Sequence, residues 1–332
     1  MRRGAPLLLL ALSACTGPQT PLDPAGEQSA QLFSVFTLML WVGGIAYALV
    51  LAFVGTAIWR ARSVLHRDNP TVDPDDRQLS RAFWIWAALV GCGLLVLAGG
   101  SFVADWARSG PARNDMLEVR VTGQQWWWRI EYRDPASGQW TETANELHLP
   151  QGQTVRISLG SADVIHSFWI PNLAGKMDMV PGRVNQITLT PSRTGWFRGQ
   201  CAEFCGSQHA NMALDAYVET PAAFASWLAD QQAIAATPPD PIAARGMQIV
   251  TNGSCAACHR LRGTSAAGRA GPDLTHLASR RAIAAGTLPM TRGAIQGWVA
   301  QPRAVKPGTM MPAIPLSAAD ADAVSRYLVT LR

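Results

Sequence analysis

The chain has 332 residues, enough for two or three domains. Hydrophobic residues make up 48% and charged residues 15%, against roughly 25% charged in soluble domains. That excludes an intrinsically disordered chain and an ordinary soluble enzyme, and it places the apolar surplus in membrane spans. The formal charge of +5 is unevenly spread: residues 1–104 carry 7 basic and 6 acidic side chains, 105–240 carry 10 and 14, and 241–332 carry 11 and 3. An acidic middle beside a basic tail suits attraction between domains or to a charged protein partner, not nucleic acid.

At the start, Arg2 and Arg3 precede an apolar run over 5–12 that is too short to span a bilayer. This predicts a signal peptide over 1–14. Leu12-Ser13-Ala14-Cys15 resembles the bacterial lipobox, in which the Cys becomes the lipid-modified first residue. Cys15 is therefore the lipidation candidate, with an ordinary signal peptide as the alternative. An N-terminal extracytoplasmic segment follows over 15–31.

Residues 32–59 and 83–104 contain no charge. At 1.5 Å rise per residue each can cross a hydrocarbon core of about 30 Å, which predicts a transmembrane helix hairpin over 32–104. Arg60, Arg62, Arg67, Arg77 and Arg81 lie between the runs, and 16–31 holds no Lys or Arg. The positive-inside rule puts this loop in the cytoplasm and both termini outside. Cys92, between Gly91 and Gly93, reads as a small packing position.

From 105 to 230 the pattern changes to period-2 alternation, as in Val155, Ile157 and Leu159, broken by Gly, Pro and Asn. An antiparallel β sandwich or barrel is expected. Within it Cys201, Glu203, Cys205, His209 and Met212 fall in twelve residues, and His166 stands upstream. Soft sulfur with imidazole suits copper or zinc, and the added thioether favours copper. A Cys201–Cys205 disulfide is the remaining alternative in an oxidising compartment.

A Pro-rich linker over 231–241 leads into 242–332, where Cys255-Ala-Ala-Cys258-His259 is the attachment pattern of a covalent c-type haem. Downstream, Lys306-Pro-Gly-Thr-Met310-Met311-Pro312 offers a second axial ligand, and a His/Met pair closes both axial positions of an electron carrier. Ser317 and Asp320 suit a helix start, and Val324, Tyr327, Leu328 and Leu331 make one apolar stripe. His148 reads as structural and His276 as a surface residue.

Together, His166-Ser-Phe-Trp-Ile-Pro171, Asp178-Met-Val-Pro-Gly-Arg183 and Cys201-x-Glu203-x-Cys205-x3-His209-x2-Met212 resemble subunit II of haem–copper cytochrome c oxidases. The tail resembles a class I cytochrome c, in which the ligand Met precedes Pro; that favours Met311 over Met310. The resemblance implies a multidomain membrane protein: a two-helix hairpin, a cupredoxin-like β barrel and an all-α cytochrome c domain. It implies a dinuclear CuA centre with Cys201 and Cys205 bridging two coppers. One copper would take His166 or His209 with Met212, the other the remaining His with the Glu203 carbonyl. It also implies a magnesium role for the Glu203 side chain at subunit I, and Trp126 as the residue where electrons come in. Period-2 alternation predicts Trp126 and Trp128 on one strand face, with Trp127 opposite.

The function so implied is electron transfer from cytochrome c or another donor, through covalent haem c and CuA, to subunit I. That subunit, with subunit III in the assembly, would reduce oxygen and translocate protons at the bacterial plasma membrane, with the outer domains periplasmic. The alternatives are a CuA-containing nitric oxide reductase and a membrane-anchored copper and haem carrier without a catalytic partner. The acceptor chemistry resides in the partner subunit.

Overall fold

A computed structural model of the chain describes residues 16–64, 76–108, 116–134 and 137–332. The expected signal segment, Cys15 and Arg67 lie outside the described residues. The chain divides into two bodies, with boundaries after Ser29 and after Ala112.

One body is helical. Helix α1 (Glu27–Val64) and helix α2 (Asp76–Arg108) contain the two uncharged runs and continue beyond both ends of each. The stretches long and apolar enough to cross a membrane are Glu27–Arg62 and Ser80–Trp106. Large apolar side chains such as Trp41, Phe53, Leu95 and Trp106 stand 69–73% exposed, as expected of helices whose solvent is lipid or neighbouring helices. The helices approach each other at glycines: a Cβ on Gly100 would come within 2.6 Å of Leu38. Cys92 is exposed, so the small contact falls to Gly93, whose Cβ position lies 3.5 Å from Val42.

In the other body, two five-stranded sheets face each other. One runs in the order β3-β2-β1-β5-β8, built from β1 (Leu117–Gln124), β2 (Trp127–Arg133), β3 (Trp140–Ala144), β5 (Val155–Ser161) and β8 (Asn185–Leu189). The second runs β4-β10-β9-β6-β7, from β4 (Glu146–Pro150), β6 (His166–Trp169), β7 (Met177–Met179), β9 (Gly195–Cys201) and β10 (Ala213–Glu219). Pairing is antiparallel except between β1 and β5 and between β4 and β10. Val155, Ile157 and Leu159 point into the core and Arg156 and Ser158 away from it, the alternation expected for a cupredoxin-like sandwich. Trp128, Ile130, Tyr132, Leu147, Leu149 and Phe168 fill the space between the sheets.

Helix α3 (Pro221–Gln232) starts at Thr220, whose side chain accepts a hydrogen bond from the Ala223 N–H, and buries Phe224 and Leu228. It occupies the first residues of the expected linker. The segment after Cys15 is strapped to the sandwich: the Asn172 side chain donates to the Gly17 and Asp23 carbonyls and accepts from the Thr20 N–H.

The tail contains α4 (Pro241–Asn252), α5 (Cys255–Cys258), α6 (Arg292–Ala300), α7 (Pro302–Val305) and α8 (Ala318–Leu328). It also has a short ribbon of β11 (Ala282–Ile283) and β12 (Leu288–Pro289). Ser317 caps α8 by accepting from the Asp320 N–H at 3.1 Å, and the stripe Val324, Tyr327, Leu328 and Leu331 is buried. α4 crosses α8 at Gly246, where a Cβ would stand 2.0 Å from the Ala323 carbonyl oxygen. His276 is not a surface residue: it is buried, with Nε2 3.2 Å from the carbonyl of Ala233. The segment after α3 folds back over it, a contact that local sequence does not signal.

Candidate functional site

The loop between β9 and β10 carries the sulfur and imidazole cluster. The Cys201 N–H donates to the Met212 carbonyl at 3.0 Å and closes the loop; His209–Asn211 forms a 3-10 turn. Gly206 has φ +112, and a Cβ there would meet Gln125 and the Trp126 ring at 3.0 Å, so the turn requires glycine. His166 opens β6 across from the loop. Its Nδ1 lies 3.8 Å from Cys201 Sγ, while His209 Nδ1 and Met212 Sδ lie 3.6 Å and 3.8 Å from Cys205 Sγ. Cys201 Sγ lies 3.1 Å from the Glu203 carbonyl oxygen. The donor atoms of His166, Cys201 and Cys205 all fall within 4.8 Å of one another.

The surroundings orient these groups. Asp163 Oδ1 is 2.8 Å from His166 Nε2, which leaves Nδ1 on the sulfur side. Gly123 lies under the ring, where a Cβ would meet it at 2.8 Å. Burial opposes protonation of His166, but hydrogen bonds with Cys201 and Asp163 outweigh it and raise its pKa. The neighbouring Cys205 thiol holds the Cys201 pKa far down, to about 3, and the Cys201 thiolate pushes that of Cys205 up. The five cysteines among the described residues are unpaired, Cys201 and Cys205 included.

A second site lies in the tail. A cavity of about 520 Å³ is lined by Cys255, Cys258, His259 and Met311, with Ile295 and Trp298 among its apolar walls. His259 Nδ1 donates to the Pro272 carbonyl at 2.8 Å, which fixes the tautomer and reserves Nε2 as a ligand atom. Burial lowers the His259 pKa and favours the neutral ring. Gly271 makes room for that ring, since a Cβ would stand 2.6 Å from it. Met310 and Met311 both border the cavity. Met310 is 79% exposed, whereas Met311 packs against the tail core.

Trp126 links the two sites. It sits in the turn before β2 and not on the strand face, and it is buried. Its Nε1 donates to the Cys205 carbonyl at 2.9 Å, and its ring borders the tail cavity. The chain's own Gly308 covers it: a Cβ there would stand 3.1 Å from the indole.

Sequence reasoning missed the role of Lys306. Its Nζ reaches the carbonyls of Trp126, Asn211 and Ala284 at 2.9, 2.7 and 2.8 Å, and burial lowers its pKa to about 8. A signal was available, because only two of the 28 basic residues are lysines. The other, Lys176, pairs with Asp178 at 3.3 Å and with the Glu203 carboxylate at 3.6 Å.

Residues 135–218 match the family model for the periplasmic domain of cytochrome c oxidase subunit II, and 243–332 match that for cytochrome c. Cytochrome c oxidase subunit 2 of Alkalihalophilus pseudofirmus is 32% identical over 338 residues, covering 98% of this chain and 95% of that one. This chain belongs to the cytochrome c oxidase subunit II family. The same subunit of Bacillus sp. strain PS3 is 30% identical over 98% of this chain and 95% of its own length. The solved periplasmic domain of subunit II from Bradyrhizobium japonicum is 33% identical, covers 37% of this chain and 96% of that one, and aligns with a TM-score of 0.34.

Membership makes the chain part of an oxidoreductase, anchored in a membrane, with periplasmic domains. It implies CuA copper in the first domain and haem in the second. The residues present fit both groups. Two thiols, two imidazoles and a thioether are a soft donor set suited to copper. The apolar cavity holds two thiols, a tautomer-fixed imidazole and a thioether, within the range of about 300–1,000 Å³ usual for such sites.

Proposed function

We propose that this chain is the electron-receiving subunit of a respiratory haem–copper oxidase in a bacterial plasma membrane. Cys255 and Cys258 would attach the haem and His259 and Met311 would hold its iron, so that electrons from cytochrome c or another donor would be received there. His166, Cys201, the Glu203 carbonyl, Cys205, His209 and Met212 would hold the dinuclear CuA copper that would relay them to subunit I. That subunit, with subunit III beside it, reduces oxygen and translocates protons. The observation that carries this reading is the convergence of His166, Cys201 and Cys205 donor atoms within 4.8 Å, with His209, Met212 and the Glu203 carbonyl bonded around them.

When bound, copper and haem iron would each supply a one-electron change. The chain's own residues hold geometry. Asp163 orients His166, Pro272 orients His259, and the buried walls exclude water. Trp126, under Gly308 and bonded to the Cys205 carbonyl, is well placed between the chain's two centres. We assign it to this internal step, not to contact with an outside donor. The Glu203 carboxylate is assigned to magnesium at the subunit I contact, Cys15 to lipidation, and both termini to the periplasmic side. The domain limits are those expected above, with 105–230 for copper and 242–332 for haem.

Electron paramagnetic resonance of the assembled oxidase tests the assignment. A mixed-valence two-copper spectrum is expected, and Cys201→Ser with Cys205→Ser should abolish it and lower the copper content by the two ions of that centre, leaving only copper held by the partner subunit. A two-copper spectrum or an undiminished copper content in that double variant would sink the ligand assignment.

A further inference from the structure

Lys306 lies in the haem-domain loop that also carries Met311, yet it enters the copper domain. It is 2% exposed, and each of its three ammonium hydrogens has one carbonyl acceptor. Two acceptors flank copper-site residues: Asn211 immediately precedes Met212, and Trp126 is bonded through its indole to the Cys205 carbonyl. The third, Ala284, belongs to a turn in which Ala284 and Ala285 both hold left-handed φ values of +53 and +57. This strained pair offers one carbonyl to Lys306 and the next to the Ala213 N–H across the domain contact at 3.2 Å.

An ammonium group suits this receptor and a guanidinium does not, because three divergent acceptors match a compact three-donor head and not a planar fork. Buried and fully bonded, the charge is held. With one acceptor moved away, it becomes a costly orphan. The group therefore resists small shifts of the loop relative to the copper domain. Gln208 adds a second tie, its Nε2 donating to the Pro307 carbonyl at 2.9 Å.

We propose that Lys306 is a positioning residue for electron transfer inside this chain: its ammonium group pins the Met311 loop to the backbone beside the copper ligands and so fixes the separation of the two centres. The inference rests on the electron path given above.

The test uses the whole chain assembled in its oxidase, with Lys306→Met and Lys306→Gln. The reading is the rate of haem-to-copper transfer after flash reduction of the haem. Small misplacements of reacting partners are costly, so both variants should slow this step roughly tenfold or more. The Met-ligation band of the haem, its midpoint potential and the copper resonance spectrum should stay those of wild type. A rate within twofold of wild type in both variants overturns the proposal. So does a changed potential or copper spectrum, which would mean that Lys306 shapes a centre and not the distance between centres. Should neither variant assemble, Lys306→Arg keeps the charge but replaces the compact three-donor head with a planar fork, and a wild-type rate there counts equally against a pinned loop. A wild-type haem that never reduces its own copper would instead overturn the electron path, and this role with it.

Discussion

His148 looked structural in the sequence, and its surroundings give that role a physical content. The ring lies 3.8 Å from that of Trp227 at 10° and is buried. Its Nδ1 is 3.1 Å from Glu219 Oε2, and its Nε2 is 3.7 Å from Glu146 Oε2. Its backbone N–H donates to the Tyr132 hydroxyl at 2.6 Å, and that hydroxyl donates on to the His148 carbonyl. Burial alone would disfavour the imidazolium, but the nearby carboxylates of Glu146 and Glu219, the latter within hydrogen-bond distance, outweigh it, and the pKa is raised. A raised native pKa stabilises the fold fully below the unfolded value of about 6.5, and that contribution is lost as pH rises through the native value. The melting temperature of the solubilised chain should therefore fall between pH 6 and pH 9 by more in wild type than in His148→Gln. Equal pH dependence in the two would show that the ring stays neutral. Tyr132→Phe strands the buried His148 N–H and should cost about 1–3 kcal/mol at either pH, measured by denaturant unfolding.

Among the elements, the α4–α8 crossing is the most exposed to a single change. Gly246 lies where the helices nearly touch, and a Cβ would overlap the Ala323 carbonyl, which is backbone and cannot rotate away. Gly246→Ala should force the helices apart and cost about 1–3 kcal/mol, seen as earlier thermal loss of the haem absorption band. A melting curve superimposable on wild type would mean that the crossing adjusts freely. The sequence revealed the stripe on α8 because helical periodicity is local, but it did not reveal the glycine opposite. The copper loop was legible for the same reason: Cys201, Glu203, Cys205, His209 and Met212 share one turn, so their spacing survives in the chain. Period-2 alternation places Trp126 on the strand face because it does not register the turn that precedes Trp127. Lys306 binds Trp126, 180 residues away, through a backbone carbonyl, an acceptor that every residue possesses and no motif marks.

At the scale of the periplasmic body, the acidic copper domain and basic tail do meet, but less through open charge than their composition suggests. Arg269 reaches Glu131 at 3.2 Å and Glu142 at 3.5 Å, and the Arg281 N–H donates to Glu146 at 2.5 Å. The Arg281 guanidinium lies 4.2 Å from the Trp196 ring centre. Glu131 and Glu142 are 9% and 4% exposed at their side chains, whereas Arg269 is 55% exposed. Salt screens exposed charges beyond about 10 Å at 0.1 M and acts weakly on pairs with a buried partner. Raising ionic strength from about 50 to about 500 mM should thus slow haem-to-copper transfer only modestly, roughly threefold or less. Arg269→Glu separates this contact from the uncharged ones, because it sets a third carboxylate against two buried ones. Its transfer should be slower than wild type at low salt and should speed up as salt screens the repulsion, reversing the sign of the wild-type dependence. If the variant kept the wild-type rate at every salt concentration, the domains would be held by Lys306 and the other contacts without this ion pair, and the charge asymmetry would serve an outside partner.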